Sequence, residues 1–360
     1  MAVYTQIDNP ELYFQTELYS GDGSTDVSHT FDGSEDMQPD MVWFKRLNGS
    51  ANHFLYDAVR GANRSLVPND TDSEATSGEQ TTFLSSFDSD GFTLGDDSNN
   101  VNGSGQSYVL WGWKAGGGSG SANTDGSINT TSTSANTTSK FSISKFNTNT
   151  ATSSSSAETI GHGLSGVAKM VILKPLGTDS WYIFHARAGN NTYMTLDGTG
   201  ASTTNTNTWN NTAPTSSVFS INTTFWGKNT NNIAAYCFAD VQGFSKFGKY
   251  IGNGNSNGPF VYTGFRPAFI MFKPAGESAD WTICDTKRNT FNPIDGDSTL
   301  NANLTSAEHD GSMDFDIVSN GFKVRNANTD NNSSNSAGII YMAFAEQTFV
   351  NSNGVPCNAR

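Results

Sequence analysis

Apolar residues in this chain come in runs of four to seven, rich in Val, Ile, Phe, Tyr and Trp and bounded by Gly, Asn, Asp and Ser. That is the pattern of short strands closed by tight turns, and helical periodicity is almost absent. One stretch reads both ways. Around Pro10–Tyr19, Asn9 suits a helix cap and Pro10 a first helical turn, yet an alternating strand fits equally well. In Tyr108-Val109-Leu110-Trp111-Gly112-Trp113 the two indoles are two apart and share a face, and Gly112 leaves room for another backbone. In Trp281-Thr282-Ile283-Cys284-Asp285, Trp281, Ile283 and Asp285 face one way, Thr282 and Cys284 the other.

The strand pattern repeats. Met41-Val42-Trp43-Phe44-Lys45 returns as Met170-Val171-Ile172-Leu173-Lys174 and as Phe269-Ile270-Met271-Phe272-Lys273, each a few residues after Pro39, Ala168 or Pro267. His53–Asp57, Trp181–His185 and Trp281–Asp285 follow in turn. Later come Ser85–Leu94, Val218–Ile221 and Ile317–Val324, and each copy closes on an aromatic-rich strand. From the repeated lysine to the last aromatic of that strand the separations are 68, 64 and 71 residues (Lys45 to Trp113, Lys174 to Phe238, Lys273 to Phe344). One supersecondary plan used three times accounts for this. The expected fold is all-β: three tandem antiparallel β-sandwich units, jelly-roll or lectin-like. The expected order is an N-terminal docking arm (1–13), unit one (14–114), a Gly/Ser/Thr/Asn linker (115–140), unit two (141–242), unit three (243–350) and a C-terminal tail (351–360). The composition of 115–140 predicts flexibility. Units two and three, joined directly through Gly243–Phe247, are expected to pack as a rigid pair.

Composition removes several functions. Charged residues are 15% of the 360, and the net charge is −14. A nucleic-acid binder needs a basic footprint that is missing here. No stretch approaches the length of an apolar membrane span, and Met1–Phe14 lacks the basic start and apolar run of a signal peptide. The expectation is a protein made in the cytoplasm. Cys237, Cys284 and Cys357 are too few and scattered for a disulfide framework. The first two sit in apolar runs as small hydrophobes, and Cys357 is expected to be exposed.

Candidate chemistry is sparse. Lys45, Lys174 and Lys273 end the repeated strand. Asp57 with Arg60 and Asp285 with Arg288 follow in units one and three, while unit two offers His185 and Arg187. A repeated ligand constellation and a set of structural ion pairs both fit, and the structural reading is favoured because an enzyme has no use for three copies. Acidic clusters at Asp88, Asp90, Asp96 and Asp97, at Asp295 and Asp297, and at Asp310, Asp314 and Asp316 suggest calcium. The twelve-residue calcium loop is absent, however, and Asp-Gly pairs form turns on their own account. No cofactor is expected. Trp209 and Trp226 lie outside the shared framework in Asn/Thr-rich sequence, so they are candidate ligand-binding aromatics or plugs of an irregular loop. No nucleophile elbow, phosphate loop or zinc spacing occurs.

The run Tyr13–Gly117 together with Ile160-Gly161-His162-Gly163-Leu164, Gly258–Pro267 and the tail Phe349–Pro356 resembles a family of repeat-containing virion proteins of marine tailed bacteriophages, described as tail or structural proteins. The units are also similar, more weakly, to concanavalin-like lectin sandwiches, a likeness of fold and not of function. The resemblance implies a virion location with surface exposure, and the expected function is a non-enzymatic tail appendage or fibre component. Its partners would be neighbouring virion proteins or a host surface glycan, and it would form homo-oligomers, trimers by preference. A capsid decoration protein or head fibre is the alternative, and a polysaccharide depolymerase stands third.

Overall fold

The computed structural model describes residues 5–96, 98–228, 232–292, 297–310 and 314–358. It is nearly all β, built from antiparallel sheets. Three sheets are large. The N-terminal one orders its strands Phe14–Ser20, Ser107–Trp113, Met41–Arg46, Phe54–Asp57. The middle one has seven strands, with Met170–Pro175 between Tyr182–His185 and Ile233–Phe238, and Phe141–Phe146 and Ser132–Asn136 beyond the latter. The C-terminal one runs Ser245–Tyr250, Ile339–Thr348, Phe265–Pro274, Thr282–Asp285, Leu300–Asn301. The phrase that repeats in sequence is thus an inner strand each time, paired on both sides.

Each large sheet faces a small one across its own apolar cluster. Val42, Phe44, Tyr56 and Leu110 meet Leu84, Phe92 and Leu94 in the N-terminal sandwich. Val171, Leu173 and Cys237 meet Ile160, Phe219 and Ile221 in the middle one. Ile270, Phe272 and Tyr341 meet Phe315, Phe322 and Val324 in the last. The alternate residues of the same strands point the other way, into one further cluster. It unites Met41, Trp43, Trp111 and Trp113 with Met170, Ile172, Tyr236 and Phe238 and with Phe269, Met271, Met342 and Phe344. Strands buried on both faces explain why the sequence reads as unbroken apolar runs instead of alternation.

Phe344, 1% exposed, is the hub of this shared core. Its ring lies within 5.1–6.3 Å of the rings of Phe14, Trp113, Phe238, Phe244, Phe247 and Phe269. These residues come from all three large sheets and from the turn that joins the second to the third. The flexible linker expected at 115–140 is therefore a correction. Asp40 accepts hydrogen bonds from the N–H groups of Ala115, Gly117 and Gly118 at 2.8–3.0 Å, and Ser132–Asn136 is a strand of the middle sheet. Glycine serves close approach here: a Cβ on Gly120 would fall 2.1 Å from the Thr133 carbonyl oxygen, at φ +70°.

Three further expectations are revised. The start of the chain is no free arm from Thr5 onward, because Ile7 joins the shared core and Gln6 N–H bonds to the Gln242 carbonyl at 3.2 Å. Residues 1–4 lie outside the described residues. Pro10–Leu12 is a 3-10 turn of 3 residues capped by Asn9, whose side chain accepts from Glu11 N–H, and the strand follows from Phe14, so the strand reading holds for most of the stretch. Gly112 makes room for side chains and not for backbone: an added Cβ would meet the Phe31 ring at 2.8 Å.

Removing the hub ring should be felt everywhere. Phe344→Ala is expected to cost about 3–5 kcal/mol, measured by urea unfolding, with the near-UV signals of all three aromatic-rich sheets lost together.

Candidate functional site

The lysine that ends each repeated strand is buried and spends its charge on backbone carbonyls. Lys45 Nζ donates to the carbonyls of Arg46 at 2.9 Å and Thr305 at 3.2 Å. Lys174 Nζ donates to Thr71, Gly177 and Asp179 at 3.2, 3.3 and 2.6 Å. Lys273 Nζ donates to Thr199 at 2.8 Å and to Ala279. In every case one acceptor belongs to a different part of the chain, so the three ammonium groups bridge N-terminal to C-terminal, middle to N-terminal, and C-terminal to middle. Burial pushes all three amines down from the ordinary 10.5 to about 8.

A second set of bonds runs along the same seams. Trp181 Nε1 donates to the Val67 carbonyl at 2.9 Å, and Trp281 Nε1 to Thr195 at 2.8 Å. The N-terminal part has a histidine at that place. His53 Nδ1 accepts from Trp43 Nε1 at 2.8 Å, which leaves Nε2 to donate to the Asn301 carbonyl at 3.1 Å. Burial holds this imidazole well below its ordinary value, so it is neutral. The acceptor pairs Val67/Thr71, Thr195/Thr199 and Asn301/Thr305 are each four residues apart. The sequence reading missed them because their acceptors are main-chain oxygens, although a threonine does recur 25–32 residues after each lysine.

The acid–arginine pairs lie in the shared core. Asp57 takes Arg60 Nε at 2.6 Å and Arg60 N–H at 2.9 Å, and Asp285 takes Arg288 Nε and N–H at the same distances. Each carboxylate also receives a donor from elsewhere in the chain: Tyr236 hydroxyl to Asp57 at 2.7 Å, Trp111 Nε1 to Asp285 at 3.2 Å. The middle copy breaks the pattern for a chemical reason. The residue matched to Trp111 and Tyr236 by register is Met342, which has nothing to donate. His185 replaces the acid and bonds the Tyr341 carbonyl through Nε2 at 3.2 Å, its imidazole pushed down to about 4 by burial. Arg187 contributes its backbone N–H to His185 Nδ1 at 3.2 Å. Asp57, Arg60, Asp285 and His185 are buried and hydrogen-bonded within the fold, whereas the Arg187 side chain is exposed.

Trp209 and Trp226 are not exposed platforms. They are 2% and 6% exposed and fill the middle sandwich, with their indole N–H groups on the carbonyls of Thr192 at 3.0 Å and Thr208 at 2.7 Å. Both rings pack inside the sandwich, and Trp226 also borders a surface cleft. The acidic residues mostly fix turns: Asp88 accepts from Ser86 and Thr93, Asp96 from Thr82 and Ser98, and Asp310 from Ser298. Asp297 accepts from Phe315 N–H, and burial pushes its carboxyl up to about 7. Asp97 and Asp295 lie outside the described residues. Among the described residues no group of three or more His, Cys, Asp or Glu side chains is placed to hold a metal ion. Cys357 is half-buried, its thiol donating to the Ser319 carbonyl, and not open to solvent as expected.

What remains open is at the edges. Phe260 and Tyr262, 48% and 60% exposed, point outward from the edge strand Phe260–Tyr262. Tyr262 borders a cleft of about 460 Å³ that is also lined by Asp240, Lys246 and Phe349. A second cleft, of about 280 Å³, is walled by Tyr182, Phe225 and Trp226, with the Asp179 carboxylate accepting from the Tyr182 hydroxyl at 2.9 Å.

Two measurements follow from the buried charges. Asp57→Ala removes the Nε acceptor of Arg60 and leaves that guanidinium only the Glu74 carboxylate at 3.2 Å, so the expected loss in denaturant unfolding is about 3 kcal/mol; Asp285→Ala leaves Arg288 only Glu308, at 3.0 Å, with the same expected effect. For the lysines the sign is worked out by linkage. Between about pH 8 and 10.5 the unfolded chain holds protons that the folded chain has shed, so stability rises with pH through that window. Replacing Lys45, Lys174 and Lys273 with methionine should remove this rise, seen as a pH-dependent difference in melting temperature between the two proteins.

Neither the curated proteins nor the solved structures compared with the chain include a match. Over residues 9–348 the sequence fits the family described as a domain of unknown function, DUF7483, and the chain belongs to that family.

Proposed function

We propose that the protein works by display and binding, as a surface component of a bacteriophage virion that attaches to a host surface or to neighbouring virion proteins. The observation that carries this reading is the fate of the repeated polar residues. Lys45, Lys174, Lys273, Asp57, Arg60, Asp285 and Arg288 are all committed to seams and core, which leaves the recurrent pattern no chemistry to perform. Three copies of one sandwich module, locked around a common core, make a rigid platform whose edges carry the outward aromatics. The resemblance of the Tyr13–Gly117 and Gly258–Pro267 phrases to virion proteins is what suggests the location.

A capsid decoration protein is the second reading, favoured by the lack of any heptad or collagen-like shaft in the sequence. Self-association, with a trimer preferred, belongs to the same proposal, since weak sites gain from multivalency. Immunogold labelling of intact particles with an antibody to the chain tests the core of it. Gold at the tail or baseplate is the expected result, gold over the head would favour decoration, and unlabelled particles would reject both. Incubation with host polysaccharide should release no reducing sugar; release would make the protein a hydrolase.

A further inference from the structure

A third cleft is lined by a residue whose buried hydroxyl the fold leaves without a partner. Beside the edge strand Phe14–Ser20, where the N-terminal sheet meets the C-terminal one, a cavity of about 310 Å³ is lined by Glu11, Phe14, Thr16, Asp32, Lys287 and Glu346 among others. Thr16 is 5% exposed, and its hydroxyl is buried with no hydrogen-bond partner. Buried hydroxyls are nearly always paired, because leaving one unpaired forfeits its hydration for nothing. The corresponding place in the middle sheet is closed. There Phe141–Phe146, which pairs Phe141 with Phe238 as Phe14 pairs with Trp113, is covered by the added strand Ser132–Asn136. Among the described residues Phe14–Ser20 has no such neighbour in its sheet, and the cleft lies against it.

The wall chemistry narrows the ligand. Three carboxylates and one ammonium line it, and each carboxylate has a donor: Glu11 the Ser34 N–H at 2.7 Å, Glu346 Arg266 Nη2 at 3.1 Å, and Asp32 the partly exposed Lys287 Nζ. An anion would be repelled by the acids. Among the described residues these acids do not converge as a metal site. A ligand whose every group both donates and accepts suits a wall that mixes carboxylate acceptors with hydroxyl and ammonium donors next to the edge of a phenyl ring. The volume sits at the small end of ligand pockets, which fits one ring better than a chain.

We propose that this cleft binds a neutral saccharide unit, with Thr16 and Lys287 hydrogen-bonding its oxygens and Asp32 and Glu346 accepting from its hydroxyls. The inference deepens the attachment reading and rests on it for the source of the sugar, a surface glycan. The binding measurement itself is independent of where the protein resides.

The test is saturation-transfer NMR and calorimetric titration of the full chain with methyl glycosides of neutral hexoses, with glucuronate and glucosamine as charged arms. A neutral glycoside is expected to bind, and the uronate is not. Thr16→Val should weaken binding about tenfold, the worth of one hydrogen bond, while raising the melting temperature of the free protein by removing the orphaned hydroxyl. Lys287→Gln, at a partly exposed site, should weaken binding without unfolding the chain. The proposal is overturned if no neutral glycoside binds, if a charged sugar is preferred, if Thr16→Val leaves affinity unchanged, or if that variant loses stability. Labelled particles without sugar binding would reject the cleft alone; sugar binding with unlabelled particles would reject the virion location alone.

Discussion

Burial of the three repeated strands on both faces is the constraint from which the rest of this structure follows. One face of each strand closes a sandwich and the other enters a cluster shared by all three large sheets. A strand in that position can carry no solvated side chain along its middle, so every residue from Met41 to Phe44 and its two counterparts is apolar. Where the strand ends, a lysine follows, and it too is buried. Its long apolar stem crosses the core boundary and its ammonium finds carbonyls on the far side of the seam.

The seams show how a polar interaction can specify an arrangement that apolar packing alone leaves loose. Hydrophobic contact between sheets is non-directional. The lysine, indole and carboxylate bonds are directional, and each reaches a defined residue of a neighbouring sheet. Their cost is desolvation, visible in the lowered lysine and histidine values, and it is offset by hydrogen bonds to carbonyls, two for Lys45 and Lys273 and three for Lys174. The middle copy makes the logic plain. With Met342 unable to donate, an aspartate at position 185 would be a buried charge without a cross-seam partner. A neutral histidine that donates to a carbonyl serves instead.

Much of the architecture was legible in the sequence, because apolar runs, Asp-Gly and Asn-Gly turns and the recurring lysine all report local backbone. The strands at Met41, Met170 and Phe269 and the closing strands before Trp113, Phe238 and Phe344 lie where the pattern puts them. The shared core was not legible: Trp43 and Val42 are equally apolar, and nothing in the letters says that opposite faces go to different clusters. Composition misled at 115–140, where Gly, Ser and Thr serve close backbone approach and a strand. It misled again at Trp209, whose polar flanks form turns, and at Trp226, which ends the short helix Thr223–Trp226; both rings are buried. The cleft beside Thr16 could not be read at all, since its residues are scattered from Glu11 to Glu346 and only the fold gathers them.

Native-state hydrogen exchange tests the shared core most directly. If one cluster binds the three large sheets, the slowest amides of Met41–Arg46, Met170–Pro175 and Phe265–Pro274 should open with a single common free energy. Three distinct free energies, one for each sheet, would mean that the sandwiches are independent domains and would contradict the account.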